Sequence, residues 1–135
     1  MEPLLELARV GAGDDAVRFT GYIDNMPARY AAIDVLAAPS RWEGFGLMLV
    51  EAMPAGVPLV ASTVDAIPEV VGDGPAILVP PRYTDALGAA LTRVLADPAA
   101  RAAMAAAGRE RAHAFSWDPS AERLADIYDE VLATR

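Results

Sequence analysis

The stretch "PSRWEGFGLMLVEAMPAGVPLVAS", residues 39–62, decides how this chain is read. Glu43 stands just before a Gly-Phe-Gly run and Glu51 follows it, with seven residues between them. The apolar spacing predicts a helix from about Phe45 to Ala55 and then a buried strand in "VPLVAS". Pro54 falls inside that helix and is expected to kink it or end it early. A helix starting near Phe45 leaves the amides of Phe45, Gly46 and Leu47 without intrahelical partners, at the positive end of the helix dipole. Gly44 and Gly46 carry no Cβ, so a ligand can approach the backbone closely. That combination suits a phosphate. Glu51 lies about 9 Å further along the axis at the standard helical rise. It is out of reach of such a phosphate, but it can accept two hydrogen bonds from a vicinal diol such as a ribose. Glu43 would face whatever hangs from the distal phosphate, and a sugar with hydroxyl donors fits. Taken singly, Glu43 reads as an acid favoured at a helix start and Glu51 as a solvated helix residue. The pair, bracketing Gly-Phe-Gly and followed by a strand, favours the ligand reading.

Working outward, "PLLELARV" predicts a helix with Pro3 in its first turn. "AVRFTGY" predicts a strand, "DNMPARYAAI" a turn and short helix, and "DVLAAP" a short apolar strand. Beyond residue 62, "IPEVV" reads as a helical turn and "AILVP" as another strand. The rest is helical. Thr84 or Asp85 is expected to cap the first of these helices. Asp97-Pro98 and Asp118-Pro119 are expected to start the next two, the first of them either one helix or a pair broken near Gly108. Ala121, Leu124, Ile127, Tyr128, Val131 and Leu132 form one apolar face of the last helix. Short apolar strands alternating with helices argue a parallel α/β sheet.

The 135 residues are enough for one domain with a core. A net charge of −8 argues against nucleic-acid binding. With no cysteine and a single histidine, His113, thiolate metal sites and a histidine triad lack raw material. His113 reads as structural. No stretch has the length of a transmembrane helix, and "MEPLLELARV" lacks the features of a secretory signal. Cytoplasmic residence is the expectation.

Residues 39–62, with "VRFTGYIDNMPARYAAIDVLAAPSRWEGFG" before them and the segment from "IPEVV" to "YDEVL" after them, closely resemble family 4 glycosyltransferases, the glycosyl transferases group 1. The resemblance covers nearly the whole chain. It implies a partial Rossmann-like parallel sheet with C-terminal helices, a fragment of the C-terminal, donor-binding domain of a GT-B enzyme. Residues 1–135 would form a single partial domain. The N-terminal acceptor domain and the first two strands of the donor domain are not in this sequence. Carried over, Glu51 binds the donor ribose, and Glu43 contacts the sugar hydroxyls beside the reacting carbon, the catalytic position. The backbone of Gly44, Phe45, Gly46 and Leu47 holds sugar and diphosphate. The backbone near Tyr22 and Ile23 borders the nucleobase. The implied partner is a nucleotide-sugar donor, consumed as substrate in a retaining transfer without metal or cofactor.

The chain departs from the family at the diphosphate clamp, at Pro54 within the motif helix and at residues 65–66. The arginine and lysine that usually clamp the diphosphate in the family have no counterpart in this sequence, and Arg41 is no obvious substitute. Losing that pair predicts little or no turnover by the chain alone. Asp65-Ala66 stands where the family often has two glycines. An unpaired strand edge and the bare face of the last helix predict a homo-oligomer or completion by another chain. A non-catalytic nucleotide-binding or oligomerisation module is the competing reading. A dinucleotide enzyme lacks its G-x-G-x-x-G, and a phosphorylase lacks a lysine for its cofactor.

Overall fold

The computed structural model describes residues 6–8, 10–11 and 16–134. The helical stretch at 6–8 and 10–11 agrees with the expected first helix, whose Pro3 lies outside the described residues. The elements that follow are α1 (Met26–Tyr30), β1 (Leu36–Ala38), α2 (Leu47–Ala52), β2 (Leu59–Ser62), α3 (Ile67–Val71) and β3 (Ala76–Val79). Then come α4 (Thr84–Ala96), α5 (Pro98–Ala112), a 3-10 turn (His113–Phe115) and α6 (Trp117–Ala133). The sheet is wholly parallel in the order β1-β2-β3. The register sets Leu36 beside Leu59 and Leu59 beside Ala76. This is the α/β architecture that the alternating pattern predicted.

β2 is buried at all four positions, as a central parallel strand covered on both faces must be. Leu59 and Ala61 join Leu49, Met53 and Ile67 in one core under α2 and α3. Val60 points the other way, into a second core with Val79, Ala90, Val94 and Met104 from α4 and α5. β1 is an edge strand, since β2 is its only partner among the described residues.

Four expectations are corrected. Residues 16–22, the "AVRFTGY" expected as a strand, form none. A β-rich segment needs a neighbour to complete its ladder, and among the described residues β1 pairs only with β2. The motif helix is shorter than its apolar pattern, starting at Leu47 and ending at Ala52. Pro54 therefore sits beyond it, in a turn that closes through Gly56 N–H to Met53 C=O at 2.9 Å and Val57 N–H to Ala52 C=O at 3.3 Å. Neither Thr84 nor Asp85 caps α4: the N-cap is Tyr83, with no side-chain hydrogen bond. α6 likewise begins at Trp117 after Ser116, placing Asp118 in the first turn instead of at the cap. Asp97 does cap α5, accepting from Ala100 N–H at 3.0 Å. α5 runs unbroken through Gly108, which is buried where a Cβ would lie 3.5 Å from the Met53 carbonyl oxygen.

α6 has no buried residue among those described. Its expected apolar face is bare: Leu124, Tyr128, Val131 and Leu132 are 49–65% exposed.

Candidate functional site

The turn between β1 and α2 is built by its own side chains. Gly46 takes φ 87 and ψ 48, a left-handed conformation that glycine adopts without strain. Glu43 reaches across it. Its Oε1 accepts from Gly46 N–H at 3.2 Å, and its Oε2 accepts from Ser40 Oγ at 3.4 Å. Glu43 N–H in turn donates to Asp65 Oδ2 at 2.8 Å, across 22 residues. Asp65 sits at φ 43. It occupies a left-handed position that glycine would take readily, and its carboxylate braces the glutamate loop. The Phe45 ring packs edge-on against Phe115, with centroids 5.9 Å apart. Phe115 is held from its other side by the Arg111 guanidinium, 5.0 Å from the ring centroid. Arg111 also donates to the carbonyls of Val70 and Glu69 at the end of α3, at 3.0 and 2.6 Å.

Glu51 is exposed near the end of α2, and its Oε2 accepts from Tyr30 Oη at 3.0 Å. Tyr30 comes from α1, 21 residues earlier, and is only 3% exposed. Burial pushes its phenol from 10.0 up to about 12, and the hydrogen bond to Glu51 and that carboxylate's charge add to the rise. The phenol is therefore a neutral donor at any physiological pH, and it leaves Glu51 Oε1 open.

This coupling carries a stability signature. Folding favours the protonated phenol, so its contribution is complete below the unfolded value of 10.0 and is lost as pH rises through about 12. Tyr30→Phe is expected to cost about 1 kcal/mol at neutral pH. The gap between the two chains should close as pH climbs across that window. Urea melts from neutral to strongly alkaline pH check it, and a gap independent of pH would refute the coupling.

The structure thus brings Glu43, Gly44, Phe45, Gly46 and Leu47 into one turn, with Glu51 on the helix that follows. Of the three amides expected to be free, Gly46 N–H is already engaged by Glu43, while those of Phe45 and Leu47 make no hydrogen bond among the described residues. Tyr22 is 91% exposed in extended chain, and no hydrogen bond among the described residues joins it or Ile23 to the turn. Tyr30, Arg111 and Phe115 were not singled out from the sequence, and Asp65 only as a departure from the family's glycine pair, because their roles depend on contacts between residues far apart in the chain. His113 is exposed in the 3-10 turn, away from these contacts. Among the described residues no group of three or more His, Asp or Glu could hold a metal, and no helix is long and apolar enough to cross a membrane.

Comparison with known proteins follows the same outline. The family model for glycosyl transferases group 1 matches residues 1–97. The chain is 36% identical over 127 residues to O-antigen chain mannosyltransferase B of Escherichia coli, covering 93% of this chain and 33% of that protein. It is 40% identical over 134 residues to D-inositol 3-phosphate glycosyltransferase of Saccharomonospora viridis, covering 96% and 31%. Sucrose-phosphate synthase from Thermosynechococcus elongatus superposes with a TM-score of 0.90 at 35% identity, covering 99% of this chain and 35% of that one. Anabaena HepE in complex with UDP gives 0.87 at 26% identity, covering 96% and 36%. The chain spans about a third of the length of the curated relatives it matches.

Proposed function

Because the chain belongs to the group 1 glycosyltransferases and carries part of a GT-B fold, we propose that residues 39–62 form its donor-binding wall. A nucleotide-sugar lies along α2. The Glu51 carboxylate, steadied by Tyr30, accepts hydrogen bonds from the ribose diol. The open amides of Phe45 and Leu47 meet the diphosphate and sugar, and Glu43 faces the sugar hydroxyls at the reacting carbon. Tyr22 and Ile23 border the base. The observation that carries this reading is the pair of carboxylates at the two ends of one glycine-shaped turn, the second held in place by a buried phenol. Both sit on an open face, as expected where the opposite wall of a cleft belongs to another part of the protein.

The complete reaction moves a sugar from the nucleotide to an acceptor with retention of configuration, in the cytoplasm and without a metal or cofactor. Arg41 is the one basic residue in this turn and does not replace the family's arginine–lysine clamp on the departing diphosphate, so residues 1–135 alone are expected to turn over little or nothing. A UDP-bound neighbour makes a uridine nucleotide the first ligand to try. Calorimetric titration of the chain with UDP, GDP and ADP is expected to give saturable, millimolar or tighter binding for one of them. No saturable binding at millimolar ligand favours the second reading, a non-catalytic association module. The bare faces of β1 and α6 support self-association in either case. Light scattering is expected to give a mass above one chain at high concentration.

A further inference from the structure

The face of the sheet opposite Glu51 opens, at the same carboxyl edge, into a cavity of about 310 Å3. This lies at the small end of ligand sites. Side chains alternate along β2. Leu59 and Ala61 serve the core beneath α2 and Val60 the other core, so Ser62 shares the face of Val60. Ser62 is 2% exposed and lines the cavity, and its hydroxyl makes no hydrogen bond among the described residues. The Ser62 oxygen is not sealed off from the cavity, so water or a guest there can hydrogen-bond to it.

The rim is cationic. Arg41 and Arg82 both line it, and neither makes an ion pair or hydrogen bond among the described residues. This chain carries no lysine and a net charge of −8, yet two of its arginines meet at a cavity with no carboxylate in its lining. The nearest acid in sequence, Asp85, is exposed and outside that lining. The 13-residue helix α4 starts at the same rim, with Tyr83 as its N-cap and no side-chain cap. The amides of Thr84, Asp85 and Ala86 have no partner among the described residues, and the helix dipole adds its positive end. Pro80 and Leu87 supply an apolar wall.

We propose that this cavity is a second anion site, separate from the donor site, that takes a phosphomonoester group. Two guanidiniums, a hydroxyl floor and a fan of amides match a dianion with three free oxygens better than a flat carboxylate. The apolar wall takes the first carbons of the attached molecule. Pro39, Arg41 and Ser62 belong to the same 39–62 stretch, but none of Glu43, Gly44, Phe45, Gly46, Leu47 and Glu51, the groups given contacts to the donor, lines this cavity.

Amide NMR of the 14.2 kDa chain tests the assignment. The probes are glucose 6-phosphate, inorganic phosphate and, as the uncharged control, glucose. A parallel arm uses vesicles containing phosphatidic acid, which separates a lipid source from a free metabolite. Saturable shifts are expected at Ser62, Arg82 and Thr84–Ala86 with phosphorylated probes and none with glucose. Excess UDP should not displace them. Arg41→Gln and Arg82→Gln should each weaken binding about five-fold or more, with an unchanged amide spectrum elsewhere. Ser62→Ala, the mildest change, should weaken it about two-fold or more. The site is overturned if the shifts fall on residues 43–47 and UDP abolishes them. It is equally overturned if the arginine variants bind as the parent does, or if neither soluble phosphates nor vesicles bind. Failure of UDP to bind would undo the donor reading and leave this site standing.

Discussion

Leu49→Ala is expected to remove about 2–5 kcal/mol, a large share of the chain's stability. Leu49 is fully buried and is among the largest such side chains, in the core that joins α2 to β2 and α3. Its Cδ1 also lies 3.2 Å from where a Cβ on Gly46 would be, so it backs the turn that positions Glu43. Removing three buried carbons and leaving a cavity costs about 2–5 kcal/mol. Ordinary domains have only about 5–15 kcal/mol in total. A three-stranded sheet with an open edge and a bare last helix sits at the low end of that range. The neighbouring Leu47→Ala is the control. Leu47 is 65% exposed, so its truncation should stay within about 0.5 kcal/mol. Circular dichroism against urea reads both. A midpoint for Leu49→Ala close to that of Leu47→Ala would mean that α2 is not packed as described.

The contrast between these two leucines shows what the sequence could reveal. Periodicity predicts that α2 exists and that one of its faces is buried. It does not report where the helix begins, because that depends on Gly46 adopting φ 87 and on Glu43 folding back onto its amide. The parallel α/β sheet was legible because three short apolar runs alternate with helices. The segment 16–22 misled for the same physical reason that β2 did not. A strand is defined by its neighbours, and composition speaks only for the segment itself. The two glutamates were legible as a pair because the glycines between them mark a turn. Their supports were not. Tyr30 and Asp65 act through single hydrogen bonds that fix one carboxylate oxygen and one amide, and no local pattern encodes such long-range partners.

Those supports sharpen the second large effect, the loss of nucleotide affinity in Glu51→Ala. If Glu51 grips the ribose, its removal should weaken binding of a plain nucleoside diphosphate by about 1–3 kcal/mol, since a charged acceptor is lost. The substitution also strands the Tyr30 hydroxyl, which is 3% exposed and has Glu51 as its partner. Part of any loss could then be a shift of α1 against α2. Glu51→Gln separates the two contributions. The amide oxygen can still accept from Tyr30, while the charge is gone, so a Gln variant as stable as the parent but weak for nucleotide assigns the effect to the ligand. A 2′,3′-dideoxy nucleotide completes the argument, because it should bind the parent as poorly as the Ala variant binds the normal ligand and gain nothing from Glu51. Glu43→Ala predicts the opposite pattern. It frees Gly46 N–H and removes a negative charge from the turn, so a nucleotide without sugar should bind equally well or slightly better. Only the nucleotide-sugar should lose affinity. Equal losses for both variants on plain nucleotide would overturn the division of labour between the two carboxylates, because a ribose contact and a sugar contact cannot both be missed by a ligand that carries only the ribose.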